Sequence, residues 1–481
     1  MRAIQVPRTL LRITKHIAVT EGFMSPSTAI AKKTATYREC FSVAWPLVLA
    51  MTGNALMMFA DRIFLSRHSA INIQAALPAG LMSFMVLAFL QNIVLYSGTF
   101  VAQFSGAGAR AACARATAQG IWLAVLCIPL LILSIPLGYW LFDVVGHAPE
   151  VIAAERSYYL TLTLGSFFIP FSAAFSGFFT GRGYTRLVMV ANIIGNAVNV
   201  ALDPLFIWGC GPLPELGIVG AGIATALGQV VIALILGVAM LREKHFSTTH
   251  RRRVAFAMKL PLMLRIVRYG VPSGSHVLLD VSTFTIFVFL TGKLDALSFA
   301  VSNIVLSINH LIFAPLMGIA MAASVLVGQR IGAEDLSGAT RAGRRCVNIG
   351  LAYVLLMVIL IGTFHEEMLH FFYASNSPFA YADYLHVGKM LTFIFLAWAA
   401  GDAFNIILGG ALKGAGDTRF VMIIIGIISC VLWLPAVFIF YYLGYGIIAL
   451  WWTMPGYVFF AATAFAWRFF RGDGKKHNLI H

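Results

Sequence analysis

Four carboxyl groups lie inside stretches of sequence that are otherwise apolar enough to cross a lipid bilayer. Of the 19 aspartates and glutamates, these fall well inside such stretches: Asp61, Asp203, Asp280 and Asp402. Charged side chains are costly at the centre of a bilayer, and acids found there usually mark ion or substrate pathways. A carboxyl group removed from water favours its neutral form, so it can carry a proton near neutral pH. Its oxygens also suit hard cations.

Amide side chains accompany the acids of the first half. Asn54 precedes Asp61 by seven residues, which places both on one face of a helix. A polar stripe with helical spacing is formed by Asn192, Asn196, Asn199 and Asp203. Such a cluster of acid and amide oxygens suits a proton carrier or a sodium site.

Structural explanations of these residues stay open. The asparagines could serve as hydrogen-bonding contacts between helices. Asp203 could mark a helix break before Pro204, and Asp61 could form a local ion pair with Arg62.

The second half carries a different set of polar residues. His276 and Asp280 are four residues apart and share a helical face. Trp398, Asp402 and Asn405 likewise lie on one side of a later helix. The histidine is either a packing contact or part of a proton relay with Asp280.

The composition indicates that membrane helices position these groups. The chain has 481 residues, of which 60% are hydrophobic and 11% are charged, whereas soluble proteins have about 25% charged residues. The six cysteines are scattered, which indicates neither a disulfide framework nor a zinc site. We therefore expect an all-α integral membrane protein.

Twelve stretches have the length of about 20 apolar residues that a bilayer requires. They are residues 42–65, 76–103, 117–142, 157–180, 186–209, 218–241, 267–291, 297–328, 342–364, 384–411, 419–443 and 446–470. With a cytoplasmic N-terminus, only five of the 34 lysines and arginines would lie outside: Arg62, Arg67, Arg156, Lys293 and Lys389. The remaining basic residues, including Lys413 after span 10, are assigned to the cytoplasmic side by the positive-inside rule.

The net charge of +15 therefore reflects membrane topology, and no nucleic-acid partner is expected. We expect a monomer that contacts lipid in the plasma (inner) membrane, with both termini cytoplasmic. The basic N-terminal residues lack a long apolar core, which favours a cytoplasmic tail over a cleaved signal peptide.

Internal repeats divide the spans into two pseudo-symmetric lobes of six. The sequence VAQFSGAGARAACARA from Val101 resembles VGQRIGAEDLSGATRA from Val327, and Pro46 and Pro272 have the same separation of 226 residues. GRGYTRLVM from Gly181 likewise resembles GAGDTRFVM from Gly414. Parallel repeats of this kind favour an alternating-access transporter.

The expected segments follow from this division. They are a cytoplasmic tail over 1–41, an N-lobe over 42–241, a basic cytoplasmic linker over 242–266, a C-lobe over 267–470 and a cytoplasmic tail over 471–481. No motif of a zinc protease, a nucleotide-binding loop or a serine hydrolase is present. We expect no enzyme and no cofactor, so transport would be driven by an ion gradient.

These features together resemble the multidrug and toxic compound extrusion (MATE) family over residues 40–470. The resemblance lies in the spacing of Pro46 and Asp61, the VAQ and VGQ segments, the GRGYTR and GAGDTR turns, and NVALDPLFIWG. It implies a V-shaped pair of six-helix lobes that export amphipathic, often cationic, compounds against inward proton or sodium flow.

The resemblance also implies roles for particular residues. Asp61 matches the cation-binding carboxylate of the first helix, in which Pro46 would provide the kink. Asn199 and Asp203 match the amide and acid of DinF-like members, and Thr225 matches a threonine of the sixth helix. With Asp61, Asn199 and Asp203 could also hold Na⁺.

In the second lobe, Asp280 and Asp402 match acids of NorM-like members and are expected, with His276, to be accessory. Trp398 replaces the tyrosine expected there, which speaks against a NorM-type sodium site. The coupling ion is expected to be H⁺, with Na⁺ as the alternative.

Three other functions compete with a multidrug antiporter. A dedicated exporter of one natural product would have the same sequence features. A lipid-linked saccharide flippase of the same superfamily would usually have more spans and a cationic cavity, whereas the charges within the spans here are acids. A membrane-embedded enzyme would need a metal or nucleophile cluster, which the sequence does not contain.

Overall fold

The protein is built from membrane-length α-helices. The computed structural model describes residues 35–68, 70–209, 214–243, 246, 249–373, 379–472 and 479, and every regular element among them is helical. Twelve spans are long and apolar enough to cross a bilayer, and they are numbered here in chain order. They are Tyr37–Leu65, Pro78–Gly106, Arg110–Val145, Pro149–Gly181, Thr185–Ile207, Gly217–Arg242, Leu260–Gly292, Ala296–Gly332, Leu336–Phe372, Tyr381–Gly414, Thr418–Tyr442 and Gly446–Arg471. The predicted all-α fold with twelve spans is confirmed.

Some spans are interrupted or extended. The first helix continues to His68, and span 2 consists of helices Ala70–Leu95 and Ser97–Gly106. Span 4 consists of Pro149–Gly165 and Phe168–Gly181. Span 11 contains the π-helix Ile428–Trp433 between Thr418–Ile427 and Leu434–Tyr442.

Several charged residues outside the predicted spans lie inside the observed ones, and Glu155 and Lys413 are two of them. Span 4 begins at Pro149 and therefore contains Glu155, which is fully buried and contacts the ring of His147 at 2.7 Å. Lys413, assigned from the sequence to a cytoplasmic loop, belongs to the last turn of span 10. Hydropathy locates the apolar middle of a helix well, but it does not locate ends that are rich in polar residues.

The two halves of the chain, defined here as spans 1–6 and 7–12, exchange the beginnings of their first spans. Cys40 and Leu47 at the start of span 1 belong to the apolar core of the second half, whereas Leu65 at its end packs among spans of the first half. Ile266 at the start of span 7 lies in the core of the first half, and Phe287 near its end lies in that of the second. Spans 1 and 7 therefore cross between the cores.

The segment between the halves packs against span 3. It contains the helix Thr249–Phe256. The Gln119 side chain donates a hydrogen bond to the carbonyl of Ala257 and accepts one from the amide of Lys259, at 3.1 and 2.9 Å. Trp122 donates to the carbonyl of Phe256 at 3.0 Å. The predicted tail 1–41 lies mostly outside the described residues, as does most of the tail 471–481.

Asp335 caps span 9 at the end of the loop that follows span 8. Its carboxylate accepts hydrogen bonds from the Gly338 amide at 2.7 Å and the Ser337 hydroxyl at 2.9 Å. Arg330 lies 3.6 Å away. Partial burial opposes ionisation of Asp335, but these hydrogen bonds and the nearby arginines together lower the pKa of this carboxyl below its usual value.

Asp335→Ala is expected to destabilise the folded state by about 1 kcal/mol, the usual cost of a lost helix cap. Because the pKa is lower in the folded chain, this contribution is present above about pH 4 and is lost as the pH falls through the folded pKa. Melting temperatures of the wild type and the variant in detergent should therefore converge on acidification. A difference in melting temperature that does not change with pH would contradict this assignment.

Candidate functional site

The first polar cluster lies where spans 1, 5 and 6 pack together. The side-chain amide of Asn196 donates a hydrogen bond to the Asn54 oxygen at 2.8 Å, which joins span 5 to span 1. The amide of Asn199 donates to the Thr225 hydroxyl at 3.3 Å, which joins span 5 to span 6. Because both bonds use amide nitrogens as donors, the amide oxygens of Asn196 and Asn199 remain available to a ligand.

Asp61 and Asp203 lie close enough to interact electrostatically across spans 1 and 5. Asp203 has no exposed surface, and Asp61 is half-buried. Two neighbouring carboxylates repel each other when both are ionised, and ionised carboxylates are acceptors alone. The pair therefore needs a proton or another cation between its members.

Several buried oxygens of this cluster accept no hydrogen bond from a fixed protein donor. They are Asp61 Oδ1, both carboxylate oxygens of Asp203, Asn196 Oδ1 and Asn199 Oδ1. Buried polar atoms without partners are uncommon and costly, so each needs an explanation. A set made of carboxylate and amide oxygens fits a proton, or a Na⁺ ion coordinated by oxygen.

The structure brings most of the predicted stripe together. Asn192 is the exception, because its amide donates to the carbonyl of Val188 in its own helix at 2.8 Å. Span 5 continues as a helix through Pro204 to Ile207, so Asp203 does not mark a break. The Arg62 side chain is exposed, and Asp61 interacts electrostatically with both Arg62 and Asp203.

Tyr158 of span 4 is a further member of this cluster. It is close enough to interact electrostatically with both Asp61 and Asp203, which the sequence did not suggest.

Pro46 lies towards the other end of span 1. It is buried, and the helix Tyr37–His68 runs through it without a break. Pro46 lies beside Leu47, where span 1 leaves the core of the second half. The kink itself remains a prediction.

A symmetric seal joins the two halves at one end of the molecule. The amide of Gln103 in span 2 donates to the carbonyl of Gly414 at 3.3 Å. The amide of Gln329 in span 8 donates to the carbonyl of Gly181 at 2.8 Å. The two glutamines are 226 residues apart and occupy the VAQ and VGQ repeats. We call these four residues the glutamine seal.

Two glycines allow the backbones to meet at this seal. A Cβ atom on Gly106 would come 1.8 Å from the Gln329 carbonyl oxygen. A Cβ atom on Gly332 would come 1.9 Å from the Gln103 carbonyl oxygen. The predicted topology places this closed end on the cytoplasmic side.

The second-half acids have partners on other helices. The Tyr457 hydroxyl of span 12 donates to Asp280 Oδ1 at 2.7 Å, and Asn405 lies beside Asp402 on span 10. Asp402 also interacts electrostatically with Asp280, so the two acids lie near each other. Trp398 is instead buried and stacked on the ring of Trp451, with centroids 5.5 Å apart. The hydroxyl that is bound to an acid here belongs to Tyr457 of span 12.

His276 contacts a lysine that the sequence analysis left in a loop. Lys413 Nζ lies 3.1 Å from His276 Nδ1, which joins span 10 to span 7. The ring nitrogen must accept this hydrogen bond, because an ammonium group is only a donor. Lys413 also interacts electrostatically with Asp280. The second half thus contains a cation beside its acids.

Comparison with known proteins agrees with this architecture. The MatE family profile matches residues 46–205 and 272–439, so it occurs twice, with starting points 226 residues apart. The probable multidrug resistance protein NorM of Bradyrhizobium diazoefficiens is 28% identical over 422 residues, which cover 86% of this chain and 88% of that protein. The multidrug resistance protein NorM of Photobacterium profundum is 25% identical over 84% of this chain and 87% of its own length.

Solved structures show the same fold. A MOP superfamily transporter from Pyrococcus furiosus superposes with a TM-score of 0.81 at 21% identity, covering 92% of this chain and 97% of that one. An outward-facing multidrug resistance MATE transporter gives the same TM-score, identity and coverage. With its twelve spans and both halves matched by the profile, the chain belongs to the MatE family of multidrug and toxic compound extrusion transporters.

Proposed function

We propose that this protein is a secondary active antiporter that exports amphipathic, predominantly cationic drugs or metabolites in exchange for protons or sodium ions. It acts by alternating access, as a lipid-embedded monomer in the plasma (inner) membrane with cytoplasmic termini. Membership of a multidrug efflux family supports transport as the activity. The coupling ion and the substrate class rest on the arguments that follow.

One observation supports the coupling role, namely that Asp61 and Asp203 neighbour each other and have buried oxygens that no protein donor satisfies. The amide oxygens of Asn196 and Asn199 likewise lack fixed donors inside the first half. Buried acceptors without donors are costly, so a cation that binds among them stabilises the cluster. That gain is what couples ion binding to a conformational change.

A proton suits the acid pair better than a sodium ion does. One proton between Asp61 and Asp203 would join them by a hydrogen bond and leave a single negative charge. Sodium needs several oxygen ligands at once, so it would also have to draw on amide oxygens such as that of Asn199. Sodium coupling therefore remains the alternative, with Asp61, Asn199 and Asp203 as its ligands.

The glutamine seal fits transport in this direction. With the seal on the cytoplasmic side, ions would reach the acid pair from outside, and substrate would leave to the same side. Opening of the glutamine seal would then expose both the acid pair and the substrate site to the cytoplasm. Binding of an ion must favour one of these two conformations for exchange to occur.

Export from proteoliposomes under separately clamped proton and sodium gradients tests the proposal. The substrates are a panel of cationic dyes, and Asp61→Asn is measured beside the wild type. We expect the wild type to export dye against an inward proton gradient, with Asp61→Asn reduced to the background of empty liposomes.

The outcomes separate the two ions. Export driven by sodium alone would transfer the coupling role to sodium at the same residues. Undiminished ion-driven export by Asp61→Asn would refute the role of the acid pair, and export of neutral or anionic dyes alone would refute the substrate class.

A further inference from the structure

The second half contains an ionisable cluster that differs in kind from the acid pair of the first half. The first-half cluster consists of acceptors that lack donors, whereas the second-half cluster includes its own cation, Lys413. Lys413, His276, Asp280 and Asp402 lie deep among the helices, yet each retains some exposed surface. They therefore line a crevice inside the helix bundle and do not belong to a sealed core.

Lys413 is positioned by a hydrogen bond to His276 and by electrostatic attraction to Asp280. Its ammonium group donates to His276 Nδ1 at 3.1 Å, so the imidazole is neutral in this arrangement. Asp280 follows His276 by one helical turn and attracts the same ammonium group. Removing either charge leaves the other less compensated away from water, which is unfavourable.

The charges of the crevice are unequal. Asp280 and Asp402 are two acids that interact with each other, and Lys413 of span 10 interacts electrostatically with Asp280. The Tyr457 hydroxyl already donates to one oxygen of Asp280 at 2.7 Å, which orients the carboxylate. An organic cation that enters the crevice would meet an acid whose charge is partly neutralised by a tethered amine.

We propose that Lys413 is an internal counter-cation of Asp280, and that an organic monovalent cation binds the second half by displacing its ammonium group. This inference rests on the proposed export of cationic substrates and adds a residue that sets their affinity. A tethered amine competes with the incoming cation for the same carboxylate, so it weakens substrate binding and helps substrate to leave.

The backbone around Lys413 connects this exchange to the glutamine seal. The Tyr96 hydroxyl of span 2 donates to the Lys413 carbonyl at 2.9 Å, and Gln103 donates to the carbonyl of the next residue, Gly414, at 3.3 Å. If an organic cation displaces the ammonium group, Lys413 moves. This movement would act on the turn at Lys413 and Gly414, whose carbonyls bind span 2.

The test is equilibrium binding of tetraphenylphosphonium to the full-length protein in detergent, without any ion gradient. We expect Lys413→Gln to bind about tenfold more tightly than the wild type, because the competing charge is gone. Lys413→Arg should bind like the wild type. Lys293→Gln removes an exposed lysine that lies over the ring of Phe289 and should change nothing.

A double-variant cycle shows whether Asp280 is the group for which the two cations compete. In the Asp280→Asn background, Lys413→Gln should no longer tighten binding. Each single charge removal should lower the melting temperature by roughly 5 °C, and the double variant should recover most of that loss. The melting curves also show whether each variant is folded.

The proposal is overturned if Lys413→Gln binds no more tightly than the wild type, or tightens binding equally when Asp280 is asparagine. Absence of probe binding by both the wild type and Lys413→Gln would overturn it as well. None of these results changes the gradient-driven export that tests Asp61, so failure here is distinguishable from failure of the coupling site.

Discussion

Asp203→Asn is expected to reduce ion-driven export strongly and at the same time to make the protein more stable. The substitution preserves shape but supplies an N–H donor where a buried carboxylate faces Asp61 without one. Satisfying a buried acceptor contributes about 1–3 kcal/mol. Export should fall by roughly 10–100-fold or more, the loss seen when a group that supports a bound ion is removed. Opposite changes of stability and activity are the signature of a functional acid.

Dye export and melting temperature measured on the same preparations check this result. Asp143→Asn, which removes an exposed acid paired with Arg156, should keep wild-type export. The double variant Asp61→Asn/Asp203→Asn should export no less than either single variant, because the two acids act as one unit. A stable Asp203→Asn protein that still exports dye would show that the pair has a structural role only.

Gly332→Ala and Gly106→Ala are expected to impair transport by weakening the glutamine seal. The new methyl group would fall within 2 Å of a carbonyl oxygen on the opposite span, so spans 2 and 8 must separate. Overpacking of this kind costs about 1–3 kcal/mol, which shifts a two-state equilibrium by roughly 5–150-fold. Export should therefore fall, and amides near Gln103 and Gln329 should exchange hydrogen faster.

The matched control is Gly456→Ala in span 12, where a Cβ atom meets nothing within 4 Å. This substitution changes the backbone entropy in the same way, but its methyl group does not approach a neighbouring span. Equal export by all three alanine variants would show that the seal does not limit the transport cycle. Faster hydrogen exchange confined to the seal, with normal melting temperatures, would separate a shifted equilibrium from general unfolding.

Some of this structure follows from local rules of sequence. The twelve spans were predictable because twenty apolar residues in succession are a strong signal. The contact of Asn196 and Asn199 with neighbouring spans followed from helical periodicity, since these residues share a face with Asp203. Repeats in the chain indicated that Gln103 and Gln329 occupy equivalent positions, although not that they bind the opposite half.

Other features depend on contacts that no local pattern encodes. Tyr457 lies 177 residues from Asp280, and a single tyrosine in an apolar span is unremarkable in sequence. Lys413 at the end of span 10 looks like a positive-inside residue, because hydropathy cannot distinguish an amine that enters the protein from one that faces the cytoplasm. The helical face of each span was predictable, whereas the choice of neighbouring span was not.

Because spans 1 and 7 cross between the two cores, neither half has a complete core when it is produced without the other. Each half contributes the start of its first helix to the other, so the boundary between the repeats in sequence is not a boundary between self-sufficient folding units. A half produced alone would present a vacant slot together with an unpartnered apolar helix of matching shape. Two copies of that half would complete each other by reciprocal exchange of this helix, which is how domain-swapped dimers form.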